Sequence, residues 1–188
     1  VARKYEFLTE NAFRFFRGTN NLFYEDLSKA RLLSSPATWI CGDLHLENFG
    51  SYKGNNRLVY FDINDFDEGI LAPVHWEIVR MVTSILVGFD ALLHITDKEA
   101  IKVADIFLQQ YAKVLAEGHP KYIEVNTATG IVKKFLKKVA SRTPEELLER
   151  RTRVRKGALE LHHHNNTQLL IDDKLTTALF KVCNKWMK

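Results

Sequence analysis

Two acidic loops, each delivered by a short apolar run, constrain this chain more than any other feature. The first is Gly42-Asp43-Leu44-His45-Leu46-Glu47-Asn48-Phe49-Gly50 and the second is Phe61-Asp62-Ile63-Asn64-Asp65-Phe66-Asp67-Glu68-Gly69. Thr38-Trp39-Ile40-Cys41 reads as a strand leading to Asp43, and Leu58-Val59-Tyr60-Phe61 as a strand leading to Asp62. Lys53-Gly54-Asn55-Asn56 has the composition of a turn. The spacing predicts a hairpin over about residues 38–62 that pairs the two runs and gathers Asp43, Asn48 and Asp62 at one end. Two carboxylates and a carboxamide form an oxygen-rich set. Such a set suits Mg²⁺, which takes hard oxygen ligands and keeps waters or substrate phosphates in its shell.

The rest of the pattern is helical. Residues 5–16 predict one helix broken at Gly18, and Asn20-Asn21 caps a second through Leu27. Trp76, Val79, Met81-Val82, Ile85-Leu86 and Phe89 share one apolar face. A helix over about 98–117 follows, with Asp97 as N-cap and Gly118-His119-Pro120 as its stop. Ile131 to Val139 predicts a shorter one. Thr143-Pro144-Glu145-Glu146 has the capping-box pattern and opens a charged helix to about Lys156, and a last helix covers about 173–187. The fold class expected is mainly α with a small β-hairpin, that is α+β.

Composition narrows the class of function. No run of eighteen apolar residues predicts a membrane span, and nothing near the N-terminus resembles a secretory signal. Cys41 and Cys183 lie far apart in sequence and suggest no disulfide framework, which fits a reducing cytoplasm. The net charge is +4. Its basic clusters, Lys133-Lys134 with Lys137-Lys138 and Arg150 to Lys156, hold only Phe135 among them as an aromatic. They read as solvated helix faces, so no nucleic-acid partner is expected.

The two loops resemble the catalytic and metal loops of the protein-kinase-like superfamily, above all aminoglycoside and choline phosphotransferases. Those enzymes carry Gly-Asp-x-His-x-x-Asn, a hairpin, and Ile-Asp-x-x-Asp. The match narrows further. Phe15-Phe16-Arg17-Gly18-Thr19, the two loops, and Pro73-Val74-His75-Trp76-Glu77-Ile78-Val79-Arg80 together are similar to the bacterial family called domain of unknown function 2252. The similarity covers about residues 5–90.

The resemblance implies the catalytic lobe of a kinase-like fold and a Mg²⁺- and ATP-dependent phosphotransferase acting on a hydroxyl of a small molecule or protein. Asp43 would be the catalytic Asp, and Asn48 and Asp62 the metal ligands. Asp65 and Asp67 would join the metal shell or hold the loop. His45 would contact substrate or shape the loop. Asp43→Ala should then reduce phosphoryl transfer severely and leave the fold intact, because the residue reads as a loop carboxylate and not as core. The alternative function is a non-catalytic kinase-like binding module.

Other readings stand beside these. Asp62 to Glu68 lacks the Gly at position six and the Glu at position twelve of a calcium loop, where Asp67 and Pro73 stand. Arg17, next to Gly18 and Thr19, either binds phosphate or is a buried ion-pair partner for a clustered carboxylate. His162-His163-His164 reads as a polar turn, since adjacent residues do not share a helix face. No Gly-x-Gly-x-x-Gly occurs in the chain. In the resembled family a Gly-rich segment and a strand Lys follow the catalytic loops. Residues 1–188 are therefore expected to be a single catalytic lobe from a longer protein, with little ATP turnover alone.

Overall fold

Both apolar runs are strands, but they do not pair with each other. In the computed structural model of the chain, which describes residues 2–32, 34–155, 157–161 and 173–186, β1 (Ala37–Ile40) and β3 (Val59–Ile63) lie in different sheets. The partner of β3 is β2 (Phe49–Lys53), with Phe49 opposite Ile63, Gly50 opposite Asp62 and Tyr52 opposite Tyr60. The partner of β1 is β4 (Ile70–Pro73), with Trp39 opposite Leu71. The expected hairpin is thus corrected in its first strand. Its turn is where the sequence puts it: the Gly54 N–H donates to Leu58 O at 2.9 Å, and Arg57 takes a left-handed φ of 67°. A turn that tight registers β3 with the residues immediately before it. Those residues include Gly50 and Ser51, whose weak strand preference hides β2 in the sequence.

Alternation along the β2–β3 ladder separates two faces. Phe49, Val59, Phe61 and Ile63 share the apolar face, with Phe49 and Phe61 stacked at 6.3 Å between ring centroids. Gly50, Tyr52, Tyr60 and Asp62 share the polar face. The Asn64 N–H bond to Asn48 O, 2.9 Å, extends the ladder by one pair and puts Asn48 at a position on that same polar face.

The segment expected as one helix over 5–16 is two, α1 (Ala2–Leu8) and α2 (Ala12–Gly18). Asn11 separates them, because its side chain caps α2 by accepting the Arg14 N–H at 2.9 Å. Next come α3 (Asn20–Lys29), then α4 (Val74–Gly88), which continues through a wide π turn, Phe89–Leu93. The N-cap of α5 (Asp97–Glu117) is Thr96, not Asp97: Thr96 and Glu99 form a reciprocal capping box. Gly118, at φ +67°, ends it. The last helix of this unit is α6 (Gly130–Ala140). Cys41, Leu44, Met81, Ile85 and Ala104 form one core beneath the first acidic loop. Val59, Ala128 and Leu136 form another beneath the apolar face of β3.

Residues 141–188 form a second unit. The Thr143 capping box opens α7 (Pro144–Arg151) as the sequence predicts. The helix expected to reach Lys156 stops at Arg151, and β5 (Thr152–Arg155) pairs with β6 (Ala158–Leu161) around Gly157 at φ +78°. Thr152 and Val154 alternate with Arg153 and Arg155, a period of two that overrides the charge pattern. Helix α8 (Asp173–Trp186) follows. His162-His163-His164 lies outside the described residues. The fold is mainly helical with small antiparallel sheets, an α+β arrangement. Among the described residues no helix is long and apolar enough to cross a membrane.

Candidate active site

Helix α4 carries a polar stripe through an otherwise apolar sequence. Glu77, Arg80 and Ser84 recur at helical spacing and therefore share a side. Each holds one part of the first acidic loop. Glu77 Oε1 accepts the Cys41 N–H at 2.6 Å, Arg80 grips Asp43, and Ser84 Oγ accepts the Leu46 N–H at 2.9 Å. A loop has few backbone partners of its own, so side chains of a rigid helix supply them. Glu77 and Arg80 belong to the family-like segment of the sequence. Ser84 was not singled out there, although a serine four residues after Arg80 in an apolar helix was the signal.

Asp43 is the centre of this arrangement. The Arg80 Nε donates to its Oδ1 at 3.1 Å, and Nη2 donates to the same oxygen. Arg80 is fully buried, at 0% exposure. Its guanidinium lies over the Phe16 ring at 4.2 Å and the Phe23 ring at 4.8 Å. This aromatic sleeve fixes the cation, and the cation fixes the carboxylate. The Asp43 side chain remains 24% exposed. Burial pushes its carboxyl above the usual carboxylate range, against the opposing pull of Arg80.

Gly42 lets the backbone turn into this loop. Its φ is +82°, and a Cβ there would lie 2.0 Å from the Glu68 carbonyl oxygen. The glycine thus permits the first loop to touch the second. Glu68 also raises the Asp43 carboxyl by its charge, and its side chain accepts the Asn20 amide N–H at 2.9 Å.

His45 and Asn48 are tied up in shaping the loop. They bracket a short 3₁₀ turn, Leu46–Asn48, as a reciprocal cap. His45 Nδ1 accepts the Glu47 N–H at 3.2 Å, and Asn48 Oδ1 accepts the His45 N–H at 2.8 Å. His45 Nε2 sits 3.7 Å from Asp43 Oδ2. The imidazole is 2% exposed, and burial lowers its pKa to about 4, with Arg17 and Arg80 adding to the shift. His45 is therefore neutral near pH 7.

A pH dependence of stability follows. The folded pKa lies below the unfolded value near 6.5, so the stabilisation is complete above about pH 6.5 and is lost as pH falls through 4. The full loss is about 3 kcal/mol. The raised Asp43 works in the opposite sense, favouring the folded state at low pH and losing that contribution as pH rises through its folded value. The comparison that isolates His45 is denaturant unfolding from pH 7 to 4 for wild type and His45→Asn, since Asn keeps an N-cap acceptor. The variant's stability is expected to fall less over that range.

The second loop places the other predicted residues. Asp62 is exposed on the polar face of β3, its Oδ1 accepting the Ile63 N–H at 2.8 Å. Asp65 and Asp67 are close to each other. A hydrogen bond to Asp65, reinforced by its charge, holds the Asp67 carboxyl above the usual range. Asp65 also acts on His45 by its charge, so the second loop reaches the first. Arg17 pairs with Glu47, yet its side chain is 43% exposed. Of the two alternatives for Arg17, the ion pair is present but half-exposed and not buried, and phosphate binding stays open. Among the described residues no three His, Cys, Asp or Glu side chains are placed to hold a metal ion by themselves.

No curated protein and no solved structure matches the chain. A family model does, over residues 1–188, and its description is an uncharacterized protein conserved in bacteria. The match extends well past the loops and α4 into the second unit, and on its extent the chain belongs to the bacterial family called domain of unknown function 2252.

Proposed function

We propose that this chain carries the catalytic site of a Mg²⁺-dependent phosphotransferase that moves the γ-phosphoryl group of ATP to a hydroxyl. The observation that carries this reading is the state of Asp43, a partly exposed carboxylate held by a fully buried, aromatic-sheathed cation. Rigid support behind one oxygen leaves the other directed for work, which is how a positioned base is built. Oδ2 is the oxygen that Arg80 leaves. It accepts the proton of the acceptor hydroxyl as that oxygen bonds to the γ-phosphorus. The bond from phosphorus to the β–γ bridging oxygen breaks, and ADP leaves. His45 and Asn48 position the loop and take no proton. A neutral imidazole adds no positive charge that would weaken Asp43 as a base.

The donor set fits magnesium by type. Asp65 and Asp67 are adjacent carboxylates that favour one shared proton, and a divalent cation relieves the same repulsion. They would hold the ion together with waters and substrate phosphates, since Asp62 does not join them in a three-carboxylate group among the described residues. When bound, the ion supplies charge that neutralises the transferring phosphoryl group. Asn48 is a weaker candidate than the sequence suggests, because its Oδ1 already accepts the His45 N–H. That bond is the observation behind the second reading, a non-catalytic kinase-like module that binds a partner or nucleotide without turnover.

Calorimetric titration with ATP, with and without Mg²⁺, tests the metal. Affinity is expected to require Mg²⁺ and to fall by roughly tenfold in both Asp65→Asn and Asp67→Asn. Affinity indifferent to Mg²⁺ and to both variants would remove the metal from the reading. ATP consumption with hydroxyl acceptors then separates the enzyme from the module.

A further inference from the structure

A cavity of about 410 Å³ opens beside Asp43, lined by Phe7, Leu8, Arg14, Arg17, Gly18 and Asp43. We propose that it is the acceptor subsite, and that the acceptor is a hydroxyl compound bearing its own oxyanion, a phosphate or carboxylate, held by Arg14 and Arg17. This rests on the phosphotransferase reading above.

Arg14 and Arg17 are three apart on α2, so both guanidiniums lie along one side of the helix. Each is anchored at one point only. Glu10 accepts from the Arg14 Nε at 2.7 Å, and Glu47 accepts from one Arg17 Nη. Among the described residues the other guanidinium N–H groups have no acceptor, which leaves two forks suited to an oxyanion. Arg14 lies over the Phe7 ring at 5.4 Å, which sets its plane. Close approach of α1 to Gly18 forms the wall, for a Cβ there would lie 2.1 Å from Leu8 Cδ2.

Asp43 is the one residue of the acidic loops that lines this cavity. Asn48, Asp62, Asp65 and Asp67 do not, so metal-bound nucleotide phosphates belong on another side of Asp43. A hydroxyl at Asp43 and an anion at the arginines describe two ends of one small molecule. The charge of Arg17 also reaches Asp43, where it opposes the upward push of burial.

The test reads the Nε signals of Arg14 and Arg17 by ¹⁵N NMR, without nucleotide or Mg²⁺. Inorganic phosphate and glycerol 3-phosphate are expected to shift both signals, and glycerol neither. Arg14→Gln and Arg17→Gln should each weaken glycerol 3-phosphate binding by roughly tenfold or more. Among the described residues Arg14 forms no hydrogen bond or ion pair with the acidic loops, so its variant separates anion binding from loop damage. Mg²⁺·ATP is expected to bind without displacing glycerol 3-phosphate. Unmoved arginine signals would overturn the proposal. So would displacement by Mg²⁺·ATP, which would give the arginines to the nucleotide. Anion binding that persists in a protein unable to transfer phosphoryl groups would sink the phosphotransferase reading and with it the acceptor role, leaving an anion site. Transfer to neutral alcohols that Arg14→Gln does not affect would keep the enzyme and discard this subsite.

Discussion

Asp43→Ala is expected to lower the stability of the fold by about 3–5 kcal/mol, and Arg80→Met by only about 1–2 kcal/mol. The asymmetry comes from where the two charges lie. Arg80 is 0% exposed, so removing Asp43 strands a guanidinium among Phe16, Phe23 and Tyr24 with no counterion. What remains to it is the Phe16 carbonyl, which accepts from Nη2 at 3.4 Å. Asp43 is 24% exposed, so removing Arg80 leaves a carboxylate that can recover water. Methionine also suits an aromatic sleeve. It removes Arg80 Nη1 as well, a buried nitrogen with no hydrogen-bond partner among the described residues. Denaturant titration at pH 7 reads both values. Equal losses would mean that Arg80 reaches water once its partner is gone, and that the sleeve is not rigid. This geometry predicts a larger cost for Asp43→Ala than the sequence alone implies. A loop carboxylate is expendable to a fold only when its partner can be solvated.

The loops themselves were legible because their chemistry is local. Gly42 before Asp43 marks a backbone that must turn left-handed, and the acidic residues follow apolar runs that are strands. Glu77 and Arg80 were legible through the family-like segment. Strand pairing was not, because pairing is a long-range choice that local pattern does not encode. Nothing in Ile70-Leu71-Ala72-Pro73 marks it as the partner of Thr38-Trp39-Ile40, and a closing proline argues against a strand. The burial of Arg80 was likewise hidden. An arginine facing three aromatic rings from two other helices is a tertiary fact, and the sequence shows only an arginine on an amphipathic helix. Asn48 shows a different limit. Its residue type permits a metal ligand or a cap equally, and only the short 3₁₀ turn after His45 decides what its oxygen does in this structure.

Asp43→Asn combined with Arg80→Met is expected to retain stability within about 1–2 kcal/mol of the natural protein. On the proposed phosphotransferase function, the same double variant is expected to lose transfer by about 10²–10⁴-fold. Each single change leaves one charge without its partner, while the pair removes both and leaves an amide beside a thioether. The coupling should therefore be favourable: the double variant should be more stable than Asp43→Asn alone. This matters because the proposed function gives Asp43 two roles that a single substitution confounds. A loss of activity in Asp43→Asn follows equally from a missing base and from a distorted loop. The double variant repairs the second cause and not the first, since an amide accepts no proton from a hydroxyl at neutral pH. The measurements are unfolding free energy and the rate of ATP-dependent transfer, with Arg80→Met as the control. That control keeps the carboxylate, so it should keep more activity than the double variant even with a less ordered loop. A double variant as active as Arg80→Met would show that Asp43 is there to neutralise Arg80, and that the base lies elsewhere.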